Sequence, residues 1–80
     1  MEVQKIVFDK IKNKKNKNIT LVSRIRDLLG YDILELVEKI NEITSYFEIL
    51  PVTEKDFDSI ITIRDLIKWV EQKYKEKEEE

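Results

Sequence analysis

Apolar residues recur at spacings of three and four through most of this chain, interrupted by a single glycine, Gly30, and a single proline, Pro51. Gly and Pro are the two residues that most weaken a helix interior. A chain nearly free of both, and rich in Ile, Leu, Lys and Glu, is predicted to form helices joined by short polar loops. Four helices are legible. In the first, Val3, Ile6, Val7 and Ile11 make the inward stripe, with Glu2, Lys5, Asp9 and Lys12 on the other face. It ends in Asn13-Lys14-Lys15-Asn16-Lys17-Asn18, a loop by composition, since Asn prefers turns and the lysines repel one another. The connection from Ile19 to Gly30 carries Ile19, Leu21, Val22, Ile25, Leu28 and Leu29. A segment so apolar is expected to lie on the bundle and to hold a helical turn, with Gly30 where the backbone reverses.

The second helix is predicted from about Ile33 to Phe47. Ile33, Leu36, Val37, Ile40, Ile43 and Phe47 form its stripe, and Glu35, Glu38, Lys39, Asn41, Glu42 and Ser45 lie outside it. Asp32 is its N-cap, Glu35 the capping-box partner three residues on, and Tyr31 with Leu36 the hydrophobic staple. The same grammar recurs twice. Thr53 with Asp56, stapled by Val52 and Phe57, opens a short third helix after Pro51; Thr62 with Asp65, stapled by Ile61 and Leu66, opens the fourth. The fourth buries Ile63, Leu66, Ile67, Val70 and Tyr74, keeps Trp69 on its flank, and is expected to fray into the charged run Lys75 to Glu80. The reading is therefore all-α: a helical domain over residues 1–74, built as a four-helix bundle with a short third helix, and a solvated tail over 75–80.

Composition narrows the function. A single domain of 80 residues buries only about 60–65% of its unfolded surface, too little to enclose a large substrate cavity. There is no Cys and no His, which removes thiolate chemistry, imidazole bases and the usual zinc ligands. Carboxylates are plentiful, but none is placed as an acid/base pair, so no catalytic residue and no metal site is assigned and no enzyme is expected. No apolar run approaches the ~18 residues that span a bilayer, and the charged start has no signal-peptide core; the expectation is a soluble, cytoplasmic monomer. The net charge of −2 is unevenly spread, +6 over residues 1–26 and −8 over 27–80. Four lysines between Lys12 and Lys17, without arginine or aromatic residues among them and in a chain of pI about 5.3, are too little for a nucleic-acid or membrane surface.

The run Leu29-Gly30-Tyr31-Asp32-Ile33-Leu34-Glu35-Leu36-Val37-Glu38, followed by Phe47, Pro51 and Ile60-Ile61-Thr62-Ile63-Arg64-Asp65-Leu66, resembles the acyl carrier protein family. The resemblance covers roughly residues 3 to 74. It departs from the family in spacing around the third helix, and in the residue that matters most. Carrier proteins attach 4'-phosphopantetheine to the serine of Asp-Ser-Leu, and Ile33 stands there in this chain. An aliphatic side chain offers no oxygen for a phosphodiester, so no cofactor is expected; Ile33 is expected to pack at the head of the apolar stripe, with Asp32 as the flanking motif residue.

What the resemblance then implies is a carrier-like domain that docks proteins without carrying cargo, in lipid or secondary-metabolite synthesis. Its docking face comprises Asp32, Ile33, Leu34, Glu35, Glu38 and Glu42, and its partners are enzymes with basic patches, met by the acidic ridge Glu35, Glu38 and Glu42 that Lys39 interrupts. The competing reading is a working acyl or peptidyl carrier that bears 4'-phosphopantetheine, its serine substituted at 33 or its attachment site elsewhere. Ser59, in Asp58-Ser59-Ile60, echoes the motif, but its use is expected to be that of a turn or cap hydroxyl.

Overall fold

Three of the helices begin where a short polar side chain takes up an amide of the first turn. The computed structural model, which describes residues 3–12, 18–28 and 30–79, is all-α. Among these residues it has four helices and no strand: α1 (Val3–Ile11), α2 (Ile33–Tyr46), α3 (Glu54–Ser59) and α4 (Ile63–Glu78). Asp32 caps α2 by accepting from the Glu35 N–H at 2.8 Å. Thr53 caps α3 and Thr62 caps α4 in the same way, and there the third residue of the helix, Asp56 or Asp65, accepts the cap's own N–H in return. These two boxes are complete. They hold both carboxyls below their ordinary range, Asp56 chiefly through the Thr53 hydroxyl and Asp65 chiefly through the Thr62 backbone N–H. The box expected at α2 is only half made, because the Asp32 cap forms without the return bond from Glu35.

α1 packs against both α2 and α4. Val7, Ile11, Ile40, Ile43, Leu66 and Val70 are fully buried along these seams, each worth about 1.5–3 kcal/mol relative to exposure. The apolar connection does lie on the bundle. Ile25 and Leu28 are buried, and Ile25–Asp27 makes one 3-10 turn. The stretch just before it runs antiparallel to the start of α4. Ile25 N–H bonds the Ile61 carbonyl at 2.9 Å, Ile63 N–H the Ser23 carbonyl at 3.0 Å and Arg64 N–H the Leu21 carbonyl at 2.9 Å. Gly30 takes φ 88° at the reversal into α2, a conformation glycine adopts without steric cost. Residues 13–17 of the expected Lys/Asn loop, and Leu29 of the carrier-like run, lie outside the described residues.

α2 ends in a Schellman turn, with Glu48 N–H on the Ser45 carbonyl and Ile49 N–H on the Thr44 carbonyl. The left-handed position of that turn falls to Glu48, at φ 56°, where glycine is the usual occupant. The expected fraying from Lys75 does not occur. α4 stays helical to Glu78, and from its last turn Lys77 reaches across to donate to the Phe47 carbonyl at 3.3 Å and to Glu48 Oε2 at 3.2 Å. That contact is invisible to a local reading of an all-charged run. None of the described helices is long and apolar enough to cross a membrane.

Candidate docking surface

The sequence places its site along the first three turns of α2, from Asp32 to Glu42, and the six residues do not share one role. Asp32 is turned back as the helix cap. Ile33, expected to pack in the stripe, is instead 49% exposed, and Leu34 is 72% exposed. The reason is positional. The buried line of α2 runs through Leu36, Ile40, Ile43 and Phe47, and on a 3.6-residue wheel Ile33 and Val37 fall on its flank, covered only as far as a neighbouring element reaches. That neighbour is α3. Ile33 and Val37 line a groove of about 410 Å³ together with Val52, Phe57, Arg26 and Asp58.

Arg26 is held in place twice over. Its Nη2 pairs with Asp58 Oδ1 at 3.1 Å and its guanidinium lies over the Phe57 ring, 4.9 Å from the centroid. Both partners are on the surface, so the ion pair itself adds little stability; its effect is to fix the rim. Sequence reasoning placed Val37 in the stripe and Val52 with Phe57 in a staple, so the groove's walls were legible in part. Nothing local pointed to Arg26, which arrives through the pairing of 21–25 with 61–64.

On the outward side, Leu34, Glu38 and Glu42 follow one another at i, i+4 and i+8, with Glu35 alongside. Glu42 is engaged by Lys39, Nζ to Oε2 3.2 Å, whereas Glu35 and Glu38 have no cationic partner among the described residues. The available acidic surface is therefore the first two turns of α2 rather than the whole ridge. It is chemically suited to one task. Position 33 offers no nucleophile, but two exposed aliphatics beside two free carboxylates can meet a partner with an apolar and cationic face. Covering Leu34 and the open half of Ile33 supplies about 2–4 kcal/mol, enough for a transient encounter steered by charge.

Two other features are set aside by their chemistry. Ser59 is the last residue of α3, exposed, with its hydroxyl directed to the Lys55 carbonyl at 3.5 Å; it is not at a helix start. A larger hollow of about 750 Å³ between the Leu50-Pro51 segment and α4 has its charges paired, Lys73 with Glu76 and Lys77 with Glu48. The Trp69 indole N–H at its edge is buried and is one of the groups that lower the Asp56 carboxyl. Comparison with protein-family models, with curated proteins and with solved structures finds no match to this chain.

Proposed function

We propose that this chain is a carrier-protein-like module without the phosphopantetheine arm, which docks partner proteins through the start of α2 in a cytoplasmic biosynthetic system for lipids or secondary metabolites. The observation that carries the reading is the state of position 33. Where the acyl carrier proteins it resembles bear their serine, a half-exposed isoleucine stands in the first helical turn beside the exposed Leu34, and farther round the helix are Glu35 and Glu38, which have no cationic partner among the described residues. An apolar side chain left open at that point, with Leu34 and two carboxylates on the outward face of the same turns, favours a surface for a partner over a cargo anchor. Partners are enzymes whose docking patches are basic, and exposed charge of this kind sets encounter rate and specificity more than affinity.

Intact mass after incubation with coenzyme A and a promiscuous phosphopantetheinyl transferase tests this directly, on the chain itself and on Ile33→Ser. The expected result is no mass gain for the chain and a gain for Ile33→Ser, slowed when Glu35, Glu38 and Glu42 are reversed to lysine. A gain on the chain as it stands, at Ser59 or elsewhere, would make it a working carrier. No gain on a folded Ile33→Ser would remove the carrier likeness.

A further inference from the structure

The chain has three arginines and twelve lysines. The lysines are spread from Lys5 to Lys77, whereas Arg24, Arg26 and Arg64 all come to the pairing of the 21–25 segment with the start of α4. Arg24 stands opposite Thr62 in the antiparallel bridge. Two residues along the same register Arg64 meets Val22, with the Arg64 N–H on the Leu21 carbonyl at 2.9 Å. Diagonal neighbours in such a pairing, here Arg24 and Arg64, have backbones about 7–8 Å apart. Arg26 follows in the 3-10 turn.

Only Arg26 is engaged by the fold, through Asp58 and the Phe57 ring. Arg24 and Arg64 are exposed and form no ion pair among the described residues. Arg24 precedes the 3-10 turn without a side-chain capping bond. Arg64 is the second residue of α4, in the turn where the helix dipole disfavours a cation. Where a residue opposes a local rule and the fold offers no compensating contact, the expectation is a functional use. The acids of the junction leave both guanidinium groups open. Asp65 accepts from the Ile61 and Thr62 N–H groups, and Asp58 is held by Arg26. Asp27 shares a hollow of about 510 Å³ with Arg24 and Ile61 but forms no ion pair among the described residues. The unengaged charges are therefore two guanidinium groups against one carboxylate.

Each open arginine has an exposed aliphatic residue beside it. Ile61, in the hollow it shares with Arg24, is 56% exposed, so the staple expected between Ile61 and Leu66 leaves most of Ile61 in solvent. Val22, set against Arg64, is 69% exposed. Arginine is the cation enriched at protein interfaces and lysine the one depleted there, because the planar guanidinium meets a carboxylate through two bonds at once and is more weakly hydrated. An extended acidic segment that alternates carboxylates with aliphatic side chains matches both pairs. A nucleic-acid backbone matches them less well, since it calls for a longer run of cations and would meet Asp27 as well. Nor is the acidic end of this chain the occupant in cis: Arg64 and Glu78 are fourteen positions apart on one helix, about 21 Å along its axis.

We infer that this junction is a second docking surface whose occupant is an acidic segment of another protein, with carboxylates on Arg24 and Arg64 and aliphatic side chains on Ile61 and Val22. Its chemistry is opposite to that of the α2 start, which suits a basic partner. The inference does not depend on the carrier reading, because none of the residues it uses belongs to the proposed α2 docking face.

An amide chemical-shift titration of the full chain tests it, with the end-blocked peptide Glu-Leu-Glu-Leu-Glu as the probe. Saturable shifts are expected from Leu21 to Arg26 and from Ile61 to Asp65 at about 50 mM salt. Binding should weaken by about tenfold at about 0.5 M, where the screening length falls below about 5 Å. The peptide Glu-Ser-Glu-Ser-Glu should bind several-fold more weakly, because it offers nothing to Ile61 and Val22. Arg24→Glu with Arg64→Glu should abolish the shifts. Arg24→Lys with Arg64→Lys keeps the charge but loses the two-bond contact, and should weaken binding by about threefold or more. Glu35→Lys with Glu38→Lys should not weaken it, which separates this surface from the α2 start. Arg64→Glu places an acid in the first turn of α4 and should melt no lower than the unmodified chain, so binding lost there is not fold lost. The inference is overturned by an absence of shifts at low salt, or by shifts indifferent to reversal of both arginines. It is equally overturned by an oligothymidylate that binds more tightly than the peptide, or by a dimer that forms without peptide and is lost on the same reversal.

Discussion

At the start of α4, Asp65 folds back on Thr62, Ile63 is fully buried and the next position carries Arg64; at the start of α2, Glu35 leaves Asp32 uncompleted, Ile33 is half open and the next position carries Leu34. The two openings match in residue type at three of four positions, a polar cap, an isoleucine and an acid at the third helical position, and differ at the second, where Arg64 stands against Leu34. Aspartate at the third helical position is short enough for its carboxylate to close the box and spend its charge on the backbone. Glutamate there has a longer, more mobile side chain, and its charge stays available. The isoleucine that follows the cap is fully buried at α4, where its N–H bonds the Ser23 carbonyl, and is left at a groove edge at α2. One helix start commits its acid to the fold, and the other, though capped by Asp32, displays Leu34 and Glu35 to solvent.

The largest expected contrast is in the first helical residue. Ile63→Ala should lower unfolding free energy by about 2–5 kcal/mol, the range for truncating a sealed aliphatic, while Ile33→Ala should cost less than about 1 kcal/mol and Leu34→Ser about 0.5 kcal/mol or less. Urea titration measures all three. Comparable losses at 33 and 63 would mean that the α2 start is core and not surface.

Caps come next in size. Thr62→Ala and Asp32→Ala should each cost about 1 kcal/mol, because the capping bond is made at both helices. The third residues should then separate the two starts: Asp65→Ala is expected to be clearly destabilising and Glu35→Ala to be nearly silent in the same thermal melts. A Glu35 effect equal to that of Asp65 would show a box closed in solution at α2 as well.

The smallest effect is in pH. Asp56 and Asp65 have folded-state pKa values below the ordinary 3.8, so the stability they contribute is fully present above about pH 4 and is lost as pH falls through their depressed folded values. Melting temperature should fall as the pH is taken below about 4, and Asp65→Asn should flatten part of that drop by removing the titrating group. A profile identical to that of the unmodified chain would assign the acid sensitivity to other carboxylates.

Much of the fold could be read from spacing because burial here is periodic. Leu36, Ile40 and Ile43, and Ile63, Leu66 and Val70, are inward in the structure for the same reason that they are regular in the sequence. The two capping boxes were legible because they are made within four residues. What escaped depends on contacts between distant segments. Ile33 lies at the margin of its stripe, and its exposure is decided by where α3 comes to rest. Arg26 reaches the groove only through the pairing of residues that are nearly forty positions apart. The site itself was half legible. All six named residues are exposed; the cap at Asp32 was legible in the sequence, while only the fold shows Glu42 engaged by Lys39, which leaves Glu35 and Glu38 without a cationic partner among the described residues.

Lys77 fastens the last turn of α4 to the carbonyl that ends α2 and to the glutamate beside it. Trypsin cuts after lysine only where the backbone can be drawn out into an extended form, so the cleavage rate after Lys75 and Lys77 reads how often two helix ends let go of each other, not how disordered a charged tail is. The most polar stretch of the chain thereby becomes a clock for the opening of the bundle, and any change that relaxes the left-handed turn at Glu48 should be visible there before it is visible in a melting curve.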